Sequence, residues 1–455
     1  MKKFPLALPS ALIQSLQTAT GFEQEAFEQV HASGEQVVSI RINPTKPVAL
    51  NQLSIQDNIP WCSNGRYLTE RPFFTFDPLL HAGAYYVQEA SSMFLWQAIT
   101  QVVPESKGKK VLDLCAAPGG KTTLLASYFT DGLVVANEVI KNRAAILVEN
   151  CTKWGAASLV VTNNDPAHFQ SLPGFFDVMV VDAPCSGSGL FRKDPNAMQE
   201  WSEESVILCN QRQQRILADA LPCLKEGGIL IYATCSYSIE EDETICDWLV
   251  ESMDMKSISL SIEPSWGIVS TQSTNSQAAG YRFYPNLVKG EGFFLAVFQK
   301  LAVTDHKRYK ANAIQLASKT EQQQIIDTIP LIPGLSFFNQ SGAIRAIPEE
   351  WMTDIGILAS QLYIKKAGIE LASLKGKDVV PSHELALSPI LLAGYPVIEL
   401  PLNDALQYLR RKEFVFSGIN GWNLVQFGGL SLGWAKILPN RINNYYPAEW
   451  RILKD

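Results

Sequence analysis

Val111-Leu112-Asp113-Leu114-Cys115-Ala116-Ala117-Pro118-Gly119-Gly120-Lys121-Thr122 is the stretch that decides the fold. The apolar run 111–115 reads as a short buried strand. The small residues and paired glycines after it make a turn where backbone can approach a ligand closely. A helix begins there and offers free N–H groups. Outward from this turn, residues 123–128 read as helix, 133–137 as a second strand and 141–154 as a helix. Strands follow at 158–162 and 177–182, then a helix at 205–224, a strand at 228–233 and a helix at 240–252. Strands and helices alternating at this spacing predict a doubly wound α/β sheet. In such sheets ligands bind at the carboxyl ends of the strands, where the glycine turn lies. Residues 293–298 read as the last strand closing that domain. The Ser/Thr/Gln-rich stretch 257–279 before it reads as a loop or insertion.

The whole chain has 455 residues, room for roughly two to four domains of about 100–200 residues. Hydrophobic residues at 47% and charged residues at 18% exclude a wholly disordered chain. The most apolar segment, 385–402, contains Pro389, Gly394, Pro396, Glu399 and Pro401, so no membrane helix is expected there. Pro5 and Pro9 interrupt the N-terminal stretch, and no small-residue cleavage site follows, so no signal peptide is expected. Eight cysteines without a CxxC pair and five scattered histidines suit neither a disulfide framework nor a metal site. The expected setting is a soluble protein in a reducing cytoplasm. Net charge is −7; residues 301–455 carry 16 Lys+Arg against 14 Asp+Glu, and the first 300 carry 22 against 31. Any nucleic-acid binding must therefore use local patches. The first 60 residues read as an amphipathic helical start, a strand at 37–42 and a turn at Asn43-Pro44. Residues 301–319 lose their apolar period and read as a linker. Beyond them the chain is turn-rich and aromatic, with short strands at 422–427 and 432–437.

Three acids mark the same sheet edge. Glu138 ends the second strand, where a carboxylate can accept hydrogen bonds from both ribose hydroxyls of a nucleoside cofactor. Asp165 and Asp182 end later strands. One acid at a strand end is ordinarily a solvated cap. Three of them beside a glycine turn argue for a site. GxGxxG and GxxxxGK[ST] are both absent, which disfavours dinucleotide and Walker-type sites. Lys121 lacks the Walker spacing and reads as a capping contact near the helix start. Asp182-Ala183-Pro184-Cys185-Ser186-Gly187-Ser188-Gly189 follows the fourth strand and Ala233-Thr234-Cys235-Ser236 the fifth. Cysteines are ordinarily small buried hydrophobes, which suffices for Cys62, Cys151, Cys209, Cys223 and Cys246. Two cysteines on polar turns at one edge instead suggest a reactive pair.

CAAPGGKT, DAPCSGSG and ATCS, in this order, resemble the motifs of the Nop/Sun family of RNA cytosine-C5 methyltransferases, which use S-adenosylmethionine. Residues 86–93, YVQEASSM, resemble the segment preceding that family's catalytic domain, and 290–294, GEGFF, its closing strand. Pro381-Ser382-His383 and the end, with Gly433, Lys436, Arg441 and Asn444-Tyr445-Tyr446-Pro447, resemble the bacterial RsmF-like branch, which modifies 16S ribosomal RNA. The likeness spans about residues 80–300 in the catalytic part and is weaker beyond. It departs at Asn286, where a histidine commonly follows the proline.

The resemblance implies a Rossmann-like methyltransferase domain at 80–300, an N-terminal RNA-binding segment at 1–79, a linker and intermediate region at 301–387 and a PUA-like RNA-binding domain at 388–455. It implies Cys235 as the nucleophile, Cys185 as the residue that helps the adduct break down, and Asp182 on the N3/N4 edge of the cytosine. Cys115, Ala116, Ala117, Pro118, Gly119, Gly120, Lys121, Glu138, Asp165 and Asp182 would frame the cofactor, with Glu138 on the ribose and Asp165 near the adenine amine. The target base must leave any stack to reach the thiol, so a deep pocket is expected. Arg41-Ile42-Asn43 with Lys46 and Phe191-Arg192-Lys193 are candidate RNA contacts. So are Arg410-Arg411-Lys412 with Trp422, Trp434, Lys436 and Arg441, although aromatics at such spacing often form the core of a small β domain. The expected partner is 16S rRNA within the 30S subunit, and the expected state a monomer without metal. Three readings stay open beside this one: a transfer-RNA or multisite enzyme, a DNA cytosine methyltransferase with Cys185 as nucleophile, and a ribosome assembly factor without catalysis.

Overall fold

The computed structural model describes residues 8–304, 309, 314–412 and 417–454. Near the N-terminus, strands β1 (Val38–Ile42), β2 (Ile55–Ile59), β3 (Cys62–Leu68) and β4 (Tyr85–Val87) make an antiparallel sheet in the order β2-β3-β1-β4. The sequence reading anticipated only the first of these.

The central sheet carries β5 (Lys110–Asp113), β6 (Leu133–Asn137), β7 (Leu159–Thr162), β8 (Phe176–Asp182) and β9 (Leu224–Thr234) as parallel neighbours in the order β7-β6-β5-β8-β9. Helices cover both faces, so these strands are near-continuous apolar runs; every residue of β6 and β7 is buried. The chain leaves β5 toward β6 on one side and later returns to β8 on the other. The glycine turn after β5 therefore lies at the switch point of the sheet.

Residues 257–279 are not a loop alone. β10 (Met255–Ile258), β11 (Val269–Gln272) and β12 (Ala279–Phe283) extend the sheet, with β10 and β12 both pairing with β13 (Phe293–Lys300), which pairs with β9. On these edge strands Lys256, Ser270 and Gln272 are exposed while the equally polar Thr271 is buried, so polar residues on both faces hide the strand period from a polarity count. Nor does β13 complete the sheet. Beyond residue 301, of which 305–308 and 310–313 lie outside the described residues, β14 (Leu335–Gln340), β15 (Ala343–Pro348), β17 (Ile369–Lys375) and β18 (Asp378–Pro381) form a separate sheet. Between them β16 (Ile364–Ala367) pairs antiparallel with β7 at the far edge of the central one. Last, β19 (Val397–Glu399), β20 (Gly421–Phe427), β21 (Leu430–Leu438) and β22 (Arg441–Asn444) make a four-stranded sheet around Trp434, which is fully buried.

No described helix is long and apolar enough to cross a membrane. Among the described residues, no cluster of three or more His, Cys, Asp or Glu is placed to hold a metal ion.

Candidate active site

The turn after β5 ends in Gly119 at φ +116°, a left-handed conformation that L side chains rarely adopt, and the Gly120–Tyr128 helix starts there. Beneath it Asp113 is buried. Its Oδ2 accepts from the Thr122 hydroxyl at 2.6 Å, while Oδ1 has no partner among the described residues. Burial pushes the Asp113 carboxyl up to about 7, although Thr122 and Lys121 pull against that. Cys115 is half-buried in the turn, and burial pushes its thiol well up.

Glu138 is buried at the end of β6. Its Oε1 accepts from the Ile140 amide at 2.9 Å, and its Oε2 faces Arg143 at 3.4 Å. Asp165 is exposed beyond β7 and caps the Pro166–Ser171 turn, its Oδ1 accepting from the Ala167 amide at 3.0 Å. Here the capping role holds, and the second carboxylate oxygen remains for another partner. The donor set fits S-adenosylmethionine: the unpartnered Asp113 Oδ1, the Glu138 carboxylate and a glycine turn at a helix start.

Lys121 does not cap its helix. Its Nζ reaches across to Asp182 Oδ2 at 2.7 Å and lies 5.2 Å from the centre of the Phe293 ring. Burial disfavours its charge, but the Asp182 carboxylate outweighs burial and the ammonium keeps its proton more firmly than usual.

The two cysteine loops meet. Cys185 Sγ and Cys235 Sγ are 3.0 Å apart. Gly189 makes the approach possible: its amide donates to the Cys235 carbonyl at 2.8 Å, and a Cβ there would lie 2.7 Å from that oxygen and 2.5 Å from the Gly292 carbonyl. The hydrogen bond to Cys235, together with burial, pushes the Cys185 thiol well up. Asp182 ends β8, and Cys115, Lys121, Glu138, Asp165, Cys185 and Cys235 lie beyond the carboxyl ends of the parallel strands.

Other candidate contacts are not where the sequence suggested. Arg41 is fully buried: Nε donates to Gln88 Oε1 at 2.8 Å, Nη2 to Thr123 Oγ1 at 2.5 Å and the Gly120 carbonyl at 3.2 Å, and the guanidinium lies 4.5 Å over Trp154. Lys46 donates to the carbonyls of Ala82 and Lys153 at 2.8 and 2.6 Å. Arg192 is spent on the Gly290 and Glu35 carbonyls and faces the buried Glu291 at 3.6 Å. These three cations brace the catalytic domain and cannot reach RNA phosphates; the neighbouring Lys193 is exposed. Asn286 is half-buried, and its two covered side-chain atoms have no partner among the described residues.

Three stretches match described families: residues 8–90 the N-terminal domain of 16S rRNA methyltransferase RsmF, residues 100–299 the 16S rRNA methyltransferase RsmB/F, and residues 395–452 the methyltransferase RsmF PUA domain. Ribosomal RNA small subunit methyltransferase F of Aliivibrio salmonicida is 31% identical over 413 residues, covering 86% of this chain and 85% of that protein. The Shewanella piezotolerans protein of the same name is 29% identical over 445 residues, covering 92% and 91%. A solved methyltransferase homologue from Pyrococcus horikoshii shares 28% identity at a TM-score of 0.51, covering 65% of this chain and all of that one. With its N-terminal, catalytic and PUA domains in that order, the chain belongs to the RsmF branch of the RsmB/F family of 16S rRNA methyltransferases.

Proposed function

We propose that this protein methylates C5 of a cytosine in 16S rRNA, within the 30S subunit, with S-adenosylmethionine as donor. The observation that carries the reading is the sulfur pair, 3.0 Å apart, beside the Lys121–Asp182 ion pair. Cytosine C5 is too electron-poor to accept a methyl group unaided. A thiolate adding at C6 converts the ring to an enamine whose C5 is nucleophilic. Cys235 forms that Sγ–C6 bond. Asp182, held by Lys121, takes the N3/N4 edge and passes to the ring the proton that Cys235 gives up. When bound, the cofactor supplies an electrophilic methyl group. Cys185, as thiolate, then takes the proton from C5; that electron pair forms the C5–C6 double bond, the Sγ–C6 bond breaks, and the ring's N3 proton returns to the departing Cys235 sulfur. Glu138 orients the ribose and Asp165 the adenine amine. The C-terminal sheet, matched as a PUA domain, holds RNA outside the pocket with Lys436, Arg441 and Trp422 on or near its surface.

The test is transfer of labelled methyl to 30S particles lacking the modification, with the nucleoside identified by mass spectrometry. The expected product is 5-methylcytidine, lost in Cys235→Ala. Methylation that survives this change, or label on another nucleoside, sinks the reading. Transfer to naked tRNA but not to 30S particles would move the substrate.

A further inference from the structure

The run Glu240-Glu241-Asp242-Glu243 has no part in the chemistry above, and as sequence it reads as a solvated helix start. Only Glu240 is exposed; Glu241 and Asp242 are fully buried. Asp242 accepts from the Thr234 hydroxyl at 2.6 Å and pairs with Arg282 at 3.2 Å, while Glu243 takes Arg282 Nε at 2.7 Å. These contacts anchor the run to the end of β9. Glu241 is also fixed through its backbone, whose carbonyl accepts from Tyr232 Oη at 2.7 Å.

Its carboxylate faces the two cysteine loops. Oε1 accepts from the Ser186 amide at 2.8 Å and from Gln213 Nε2 at 3.1 Å, and Oε2 from the hydroxyls of Ser186 at 2.5 Å and Ser236 at 2.6 Å. Gln213 also donates to the Pro184 carbonyl at 3.1 Å. Ser186 follows Cys185 and Ser236 follows Cys235. One carboxylate therefore ties together the residues adjoining both sulfurs. Four donors converge on one side chain, and only a carboxylate offers lone pairs to all four without rearrangement. We propose that Glu241 is a positioning residue that sets the spacing of the Cys185–Cys235 pair, so that formation of the RNA adduct and its release occur at one site. This rests on the two-cysteine reading for its consequence in turnover, though not for its geometry.

The same carboxylate puts negative charge near Cys185, one of the lesser influences that raise that thiol. Glu241→Ala frees both loops. Turnover should then fall on the order of 10- to 100-fold, the cost of a misplacement near 1 Å, with KM for S-adenosylmethionine unchanged. Glu241→Gln keeps the shape, with its oxygen on the Ser186 amide and Gln213 and its NH2 on the two serine hydroxyls, which rotate to accept, and should recover most of the rate.

The deciding measurement needs neither RNA nor cofactor. The diazene oxidant diamide takes two electrons and two protons from the thiols, becoming the hydrazine as Cys185 and Cys235 join in a disulfide. Its formation is followed by mass spectrometry of non-reduced peptides. The expected result is rapid coupling in the wild type, coupling roughly tenfold slower in Glu241→Ala, and near-wild-type coupling in Glu241→Gln. An unchanged rate in a folded Glu241→Ala protein overturns the proposal. If that variant does not fold, the double variant Ser186→Ala, Ser236→Ala removes two of the four donated bonds, those of the hydroxyls, while leaving Glu241 in place. It should slow coupling, and an unchanged rate there overturns the proposal equally. Slowed coupling in a protein whose wild type transfers no methyl group and whose Cys185→Ala variant traps no RNA adduct would uphold the clamp and remove the methylation mechanism instead.

Discussion

The cations at the two ends of the chain have opposite fates. Arg41 and Lys46, in the N-terminal sheet region, are buried and donate to carbonyls and polar side chains of the catalytic domain. In the C-terminal sheet, Arg441 is exposed. Lys436 is half-buried and lies 5.1 Å over the Trp422 ring, which itself meets the exposed Tyr445 ring at 4.5 Å. A cleft of about 1130 Å³ opens beside them, lined by Arg411, Arg441, Asn443 and Tyr445 among others. Basic residues in a sequence are thus not basic surface. A buried guanidinium acts as a bolt between domains, whereas a cation beside an exposed aromatic has the make-up of an RNA contact.

The largest effect expected from this contrast is at Arg41. Replacing it with alanine leaves Gln88 Oε1 without its donor and takes one of two side-chain donors from the Gly120 carbonyl, and should cost about 1–3 kcal/mol in denaturant unfolding. A loss below about 1 kcal/mol would mean that Arg41 behaves as a surface cation. The double variant Lys436→Ala, Arg441→Ala should do the reverse. Its melting temperature should stay unchanged, while affinity for 16S rRNA falls roughly tenfold and the salt slope of binding drops by about one to two. Equal loss of stability at both ends would erase the distinction.

The smallest effect concerns Arg192 and its partner. Burial pushes the Glu291 carboxyl up to about 7, with Arg192 pulling against it. The folded protein thus binds a proton that the unfolded chain releases between the ordinary carboxyl range and about 7, so this group's contribution is present at low pH and lost as pH rises through that window. Glu291→Gln should flatten the decline in melting temperature between about pH 5 and 7.5. A decline that remains as steep assigns it to another group, such as Asp113, whose carboxyl is raised in the same way.

What was legible in the sequence follows from burial. The parallel strands are apolar runs because both faces are covered, and the cysteines and acids that follow them inherit their place at the ligand edge. Strand β16 was illegible because it contains Lys365 and Lys366. Lys366 is nevertheless buried, its ammonium paired with Glu384 at 2.6 Å. Strands β10 and β11 were hidden by polar residues on both faces. Glu241 and Lys121 share one reason: a charged side chain near a helix start looks solvated, and only the fold reveals that one meets four donors and the other a carboxylate 61 positions away.

The account turns on the cysteine pair. In the Cys185→Ala variant incubated with S-adenosylmethionine and 30S particles lacking the modification, a protein–RNA adduct should accumulate on a denaturing gel and vanish when Cys235 is also replaced. No adduct in the single variant alongside an active wild type, or an adduct that persists without Cys235, would contradict the assignment of the two sulfurs.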